Sequence, residues 1–365
     1  MTLSLAGEKR PGALTVKQPA IIPAAISLTT ACAVFGLGAF GAHAQTGNDF
    51  FKGKTITVTV AVGTGAYDLY ARLLARHMPK FIPGNPNMII NNMPGAGGVV
   101  AANHAANIAP RDGTALLVPL KPIAMTQVLN PSQVRYDASR FQWIGSMVDA
   151  PGVLLAWSTS NIKSIEDARK TEVAMGSTGA GAETAIFPTV INSALGTRFK
   201  VISGFKGMSD IFLAIERGEV HGVSTVYGSV QGLKPEWIKE GKVTFLARVA
   251  ATRAKELPNV PTVLELARTP AEKEVLEFLT LSNSVGRSLT APPDVPAAQI
   301  AILRKAFDET VKSPDYLKET VEKGIEVNPI PGVEVQKDVA RLIAMPQSTV
   351  EKVQAALQSL PQTKK

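Results

Sequence analysis

The sequence predicts an α/β protein of two lobes, each a mainly parallel or mixed sheet flanked by helices. Two observations predict it. Short β-branched runs alternate with helical patterns along most of the chain, the mark of sheets built from strand–helix units. Two glycine-rich loops, Gly63-Thr64-Gly65-Ala66 and Gly176-Ser177-Thr178-Gly179-Ala180-Gly181, each follow a strand and precede a helix in well-separated parts of the chain. A length of 365 residues exceeds one ordinary core and suits two lobes plus a targeting segment.

The first 44 residues read as an export signal. Lys9, Arg10 and Lys17 precede an apolar stretch from Ala20 to Phe40, and Ala42-His43-Ala44 places small residues where a signal peptidase reads them. Cleavage after Ala44 is expected, leaving a periplasmic protein. A retained membrane anchor is the alternative, weakened by Pro23, Thr29 and Thr30 inside the apolar run. Without this segment 35 Lys and Arg stand against 29 Asp and Glu, and the single cysteine, Cys32, is gone. Disulfides, thiolate metal sites and a cysteine nucleophile are thereby excluded from the remainder. Aromatics at 6% and the absence of basic runs argue against nucleic acid.

In order, Thr55 to Val62 is strand-like, Tyr67 to Met78 is helical with Leu69, Leu73 and Leu74 on one side, and Pro79 and Pro83 end it. Met88 to Ile90 is a short strand, Asn91 to Gly98 a turn, 99–108 an Ala-rich helix, and Thr114 to Val118 a third strand. Ser164-Ile165-Glu166-Asp167 has the form of a capped helix start. Val173 to Met175 is a strand, and the helix after the second glycine loop runs to Leu195, closed by Gly196 and carrying Pro188. Strands at Lys200 to Ile202 and Val243 to Ala247 follow, and from Pro292 onward the chain reads as helices. The expected organisation is 45–150 plus 276–365 as one lobe and 151–275 as the other.

A glycine loop opening a helix allows close backbone approach and presents unpaired N–H groups at the positive end of the helix dipole. Such a place holds an anion, and in open α/β sheets ligands bind at the carboxyl ends of strands. One such loop is also an ordinary turn. Two are better explained as opposing jaws of a cleft. Neither has a P-loop Lys-Ser/Thr ending or the dinucleotide pattern, so a small carboxylate fits them better than a nucleotide. Tyr67 reads as a pocket wall with a hydrogen-bonding tip, against the alternative of a core tyrosine. Asp68 is either a helix-start acid or a shaper of the pocket. Lys206, beside a glycine-flanked turn, is either solvated or in reach of the ligand. His77, His104 and His221 lack metal spacing. Nucleophile elbows, His-Glu-x-x-His pairs and Asp-rich metal runs are absent from the sequence, so neither an enzyme nor a cofactor is expected.

The order of these motifs resembles the Bug family, the extracytoplasmic receptors of tripartite tricarboxylate transporters. The residues that carry the resemblance are Thr64 to Asp68 with Ala71-Arg72, then Asn92-Met93-Pro94-Gly95-Ala96-Gly97-Gly98, Pro110-Arg111-Asp112-Gly113-Thr114, Gly176 to Gly181, Phe205-Lys206-Gly207, Gly218-Glu219-Val220, and Leu257 to Thr262. The resemblance implies a Venus-flytrap receptor that closes on a small carboxylate and docks, as a monomer, to membrane permease subunits. It implies contacts from Gly63, Thr64, Gly65, Ala66, Tyr67 and Asp68, from Ser177, Thr178, Gly179, Ala180, Gly181 and Ala182, and from Phe205 and Lys206. Thr64 in place of a glycine, the bulk of Tyr67, and Phe205 in place of a tyrosine imply a reshaped pocket for a ligand less polar than citrate. A sensory co-receptor, a receptor for an ATP-driven importer and a periplasmic enzyme remain alternatives.

Overall fold

The computed structural model describes residues 49–179 and 182–360. The first 44 residues, read above as an export signal, and Ala180 and Gly181 lie outside the described residues. The described residues form one compact unit built on two sheets. The first contains β1 (Thr55–Val60), β2 (Asn87–Asn92), β3 (Ala115–Val118) and β4 (Gln142–Ser146). The second contains β5 (Gly152–Trp157), β6 (Val173–Ser177), β7 (Phe199–Ser203), β8 (Gly222–Val226) and β9 (Val243–Val249). The chain then returns to the first sheet with β10 (Ser288–Ala291) and β11 (Ile330–Pro331). Strand order is β11-β4-β10-β3-β1-β2 in the first sheet and β7-β6-β8-β5-β9 in the second.

Both sheets are mixed, the second of the two arrangements expected from the sequence. β1 runs parallel to β2 and β3, while the returning β10 inserts antiparallel between β3 and β4. In the second sheet β5 lies antiparallel between β8 and β9, and β6 pairs parallel with β7 and β8. β5 follows β4 directly into the second sheet, without the helical crossover that parallel pairing needs, whereas β10 returns to the first sheet after the helix Pro270–Thr280.

Period-two alternation assigns the cores. Leu154 and Ala156 face one core, Leu155 faces another on the opposite side of the sheet, and Phe212 and Trp237 belong to the latter. The first of these cores runs on into the first sheet, where Leu117, Trp143 and the buried alanines of the helix Val99–Asn107 join it. The helices Glu183–Leu195, Pro270–Thr280 and Gln347–Gln358 pack together. The final helix therefore lies against the second sheet's helix rather than against the first sheet alone.

Local chemistry accounts for the ends. Ser164 accepts the Asp167 N–H as an N-cap, and Thr269 caps the helix Pro270–Thr280 through Glu272 N–H. The helix Glu183–Leu195 ends at Gly196 in the left-handed conformation. Two details differ from the sequence pattern. β2 continues to Asn92 because Val60 supplies a partner there, and Pro346 divides the helical tail in two, after Gly332–Ile343 and before Gln347–Gln358.

Gly145, within β4, lies directly under the ring of Phe307, which is wholly buried. A methyl group has no room there. Gly145→Ala is expected to cost about 3 kcal/mol, the upper end for overpacking a rigid core, read as a lowered urea midpoint with an unchanged m-value.

Candidate functional site

β1 delivers the chain through Val62 into the first glycine loop, and the helix Ala66–His77 begins at its end. Thr64, Gly65 and Ala66 are exposed, and Gly63 is half-buried. Asp68 is 4% exposed and does not point into solvent. It accepts from Arg72 Nε at 2.7 Å and from Asn92 Nδ2 at 2.9 Å, and Asn92 Nδ2 also donates to the Val62 carbonyl at 2.9 Å. Asp68 thus ties the loop to β2. The hydrogen bond from Arg72 holds its carboxyl below the usual range against the opposing effect of burial, with Asn92 adding to the lowering. A depressed folded pKa stabilises the fold above the unfolded carboxylate value, and that stability is lost as pH falls through the folded value. Asp68→Asn is expected to lower the melting temperature at pH 7 and to flatten its fall under acid conditions, a comparison made by thermal scans at stepped pH.

Tyr67 turns inward. Its hydroxyl accepts the Lys121 backbone N–H at 3.1 Å, and the Arg287 guanidinium lies over its ring, 4.3 Å from the centroid. Burial pushes the Tyr67 hydroxyl up, opposed by Arg287. Lys121, at the carboxyl end of β3, is 3% exposed. Its ammonium donates to the Ala150 carbonyl at 2.8 Å and pairs with Glu183 Oε1 at 2.9 Å. Glu183 is the first residue of the helix that follows the second glycine loop. The two loops therefore converge through the series Tyr67, Lys121, Glu183, and the chain's own carboxylate stands at their meeting point.

The second loop is largely satisfied from within. Thr178 N–H donates to Thr184 Oγ1 at 3.2 Å, Gly179 N–H to Ser177 Oγ at 3.1 Å, and Ala182 N–H to the Gly179 carbonyl at 3.0 Å. Ser177 is buried, its hydroxyl 3.0 Å from that of Thr184, while its carbonyl accepts from Gly204 and Phe205. The Phe205 ring packs on the core that contains Ile211 and Trp237. Lys206 is exposed, and its backbone N–H donates to Asp210. Ala180 and Gly181 lie outside the described residues.

Beside this junction opens a cleft of about 550 Å³. Ala66, Leu69 and Tyr70 form one wall, 226–229, 231 and 232 from the end of β8 and the helix Tyr227–Leu233 form the facing wall, and 148–151 form the floor. Arg287 and 323–326 complete it. Of the residues singled out from sequence, Ala66 lines this cleft, with Thr64, Gly65 and Tyr67 adjoining it in the chain. Ser177 to Gly179, Phe205 and Lys206 are not among its walls.

Arg287 is its most informative group. Its Nε is buried and has no acceptor, and the guanidinium forms no ion pair, among the described residues. Its positive face rests on Tyr67 and, at 5.9 Å, on Tyr70. Tyr70 in turn donates to the Glu326 carbonyl at 2.7 Å, and burial pushes its hydroxyl up to about 12. The Glu326 carboxylate reaches across to the facing wall, where a Cβ added at Gly228 would stand 2.5 Å from Oε2. A second cleft of about 570 Å³ shares Asp149, Tyr227 and Glu326 with the first and adds Arg248.

Sequence reasoning missed Lys121, Asp149, Arg287 and Glu326. Lys121 carried a usable signal, a lone lysine at the carboxyl end of an apolar strand, where α/β sheets bind ligands. Arg287 and Glu326 carried none, since only the return of the chain to the first sheet brings them here. Among the described residues no group of three or more His, Cys, Asp or Glu is placed to hold a metal ion, and no helix is long and apolar enough to cross a membrane.

Two helix-flanked mixed sheets with a charged cleft between their loops define a solute-binding protein of the periplasmic type. The chain belongs to the tripartite tricarboxylate transporter receptor family, whose model matches residues 70–360. Protein BugT of Bordetella pertussis is 25% identical over 79% of this chain and 86% of its own length. A TctC solute-binding protein from Polaromonas, solved without ligand, superposes with a TM-score of 0.66 at 18% identity, covering 84% of this chain and 99% of that one. MatC of Rhodopseudomonas palustris, solved with bound malate, gives 0.55 at 23% identity, covering 83% and 99%. At these identities the structural likeness is one of fold.

Proposed function

We propose that this chain is an exported receptor that captures a small carboxylate in the cleft beside Arg287 and delivers it to the permease subunits of a tripartite transporter. One observation carries the reading: an unpaired guanidinium, backed by two tyrosine rings, faces a cleft of ligand size beside the amino end of a 12-residue helix. An arginine in that setting binds a carboxylate through paired N–H donors, and the helix end adds a positive potential. Family membership and the malate of MatC support the ligand class. The Glu183 carboxylate, paired to Lys121, already stands where the two glycine loops meet, so the ligand's carboxylate takes the neighbouring position on Arg287.

On this reading Gly63 to Asp68 and Ser177 to Ala182 shape and support the cleft. The lobes are 45–150 with 276–365, and 151–275. They close on ligand, the segment through Ala44 is removed on export, and the receptor works as a monomer without catalysis. Thermal unfolding against mono-, di- and tricarboxylates, amino acids and sugars tests it. A bound acid at about 100 times its Kd adds roughly 2.7 kcal/mol of stability, a rise of several degrees. Stabilisation by sugars with none by any acid would contradict the reading.

A further inference from the structure

We infer that the ligand carries a protonated nitrogen as well as a carboxylate, so that the cleft selects a zwitterion over a diacid. The inference rests on the receptor reading above and concerns the ligand's second end. The cleft is electrically divided. Arg287 stands on its wall with no carboxylate partner, while Asp149 and Glu326 line the same space and form no ion pair among the described residues. At neither carboxylate do the nearby cations offset burial. Burial raises the pKa of Asp149, with Arg248 and Lys121 opposing. Burial also raises that of Glu326, reinforced by Glu256 and by Asp149 itself and opposed by Arg287 and Arg248.

The cations nearby make their close contacts with other groups. Lys121 is held by Glu183 and the Ala150 carbonyl, Lys323 in the cleft wall stands 3.8 Å from Glu319, and the Arg248 guanidinium donates to the Thr252 carbonyl and acts on Asp149 and Glu326 only at longer range. Glu326 spans the cleft to Gly228, so a ligand anchored on Arg287 directs its far end toward carboxylates. A second carboxylate there meets like charge, which discriminates strongly against a partner. An ammonium there gains two acceptors and removes the repulsion between them. The apolar part of the lining, Leu69, Val148 and the rings of Tyr70 and Tyr227, suits a short apolar linker between the two charges.

Calorimetric titration of the purified protein with three matched pairs tests this: succinate against 3-aminopropionate, glutarate against 4-aminobutyrate, and adipate against 5-aminopentanoate. In at least one pair the amino acid is expected to bind about a hundredfold more tightly than its diacid, the discrimination that like-charge contact provides. Glu326→Gln, in a cleft wall that only partly shelters the side chain, is expected to narrow that gap about tenfold by weakening the amino acid and strengthening the diacid. Diacids binding as well as or better than their partners would overturn the zwitterion inference and leave the carboxylate receptor standing. Failure of all six acids, with binding of a neutral solute, would overturn both.

Discussion

Arg287→Met is expected to weaken carboxylate binding by at least a hundredfold while leaving the fold as stable as before. The two halves of that result have separate causes. Truncating one partner of a desolvated, hydrogen-bonded charge pair costs about 2–5 kcal/mol of binding, and the middle of that range exceeds two decades in Kd. The guanidinium makes no ion pair within the described chain and its Nε is buried without an acceptor, so folding loses little when it is removed. Methionine keeps the contact with the Tyr67 and Tyr70 rings. Calorimetry against a stabilising acid, with a urea titration alongside, separates the two. An unchanged Kd would remove Arg287 from the site.

Lys121→Met is expected to do the opposite, destabilising the fold by about 3 kcal/mol. Removing one member of a buried pair leaves an uncompensated charge, at a cost of about 3–5 kcal/mol. Glu183 keeps 32% of its side chain exposed, which places the loss at the low end. The Ala150 carbonyl also loses its donor. Adding Glu183→Gln is expected to restore most of the stability, because the orphaned charge then disappears. The double-mutant cycle is read from urea midpoints. A single variant as stable as the parent would show that the pair does not join the two loops.

The architecture was legible in the sequence because strand–glycine–helix steps are local. Val173 to Ser177, the following helix and its Gly196 stop lie within one stretch of chain, and each signal is a matter of neighbours. The inserted strand β10 was not legible. Ser288 to Ala291 gains its partners from β3 and β4, far earlier in the chain, and four residues carry no period that announces such a place. The same distance hid the site. Thr64 to Tyr67 were visible as a loop before a helix, but Arg287 reaches Tyr67 only through the return of the chain. Glu326 arrives by a hydrogen bond from Tyr70. Asp68 shows the other limit, since a helix-start acid and a pocket acid look alike until Arg72 and Asn92 are seen to hold it. The second loop has a glycine pattern suited to anion binding, yet the Ser177 and Thr184 hydroxyls take up N–H groups in it. No spacing rule reveals that.

The most direct measurement is a crystal structure of the protein with the first acid that stabilises it in thermal unfolding. The carboxylate is expected within hydrogen-bond distance of the Arg287 guanidinium, between the helices Ala66–His77 and Tyr227–Leu233, with the Lys121–Glu183 pair intact. A carboxylate seated instead on the backbone of 177–182, with Glu183 displaced from Lys121 and Arg287 free of ligand, would contradict it.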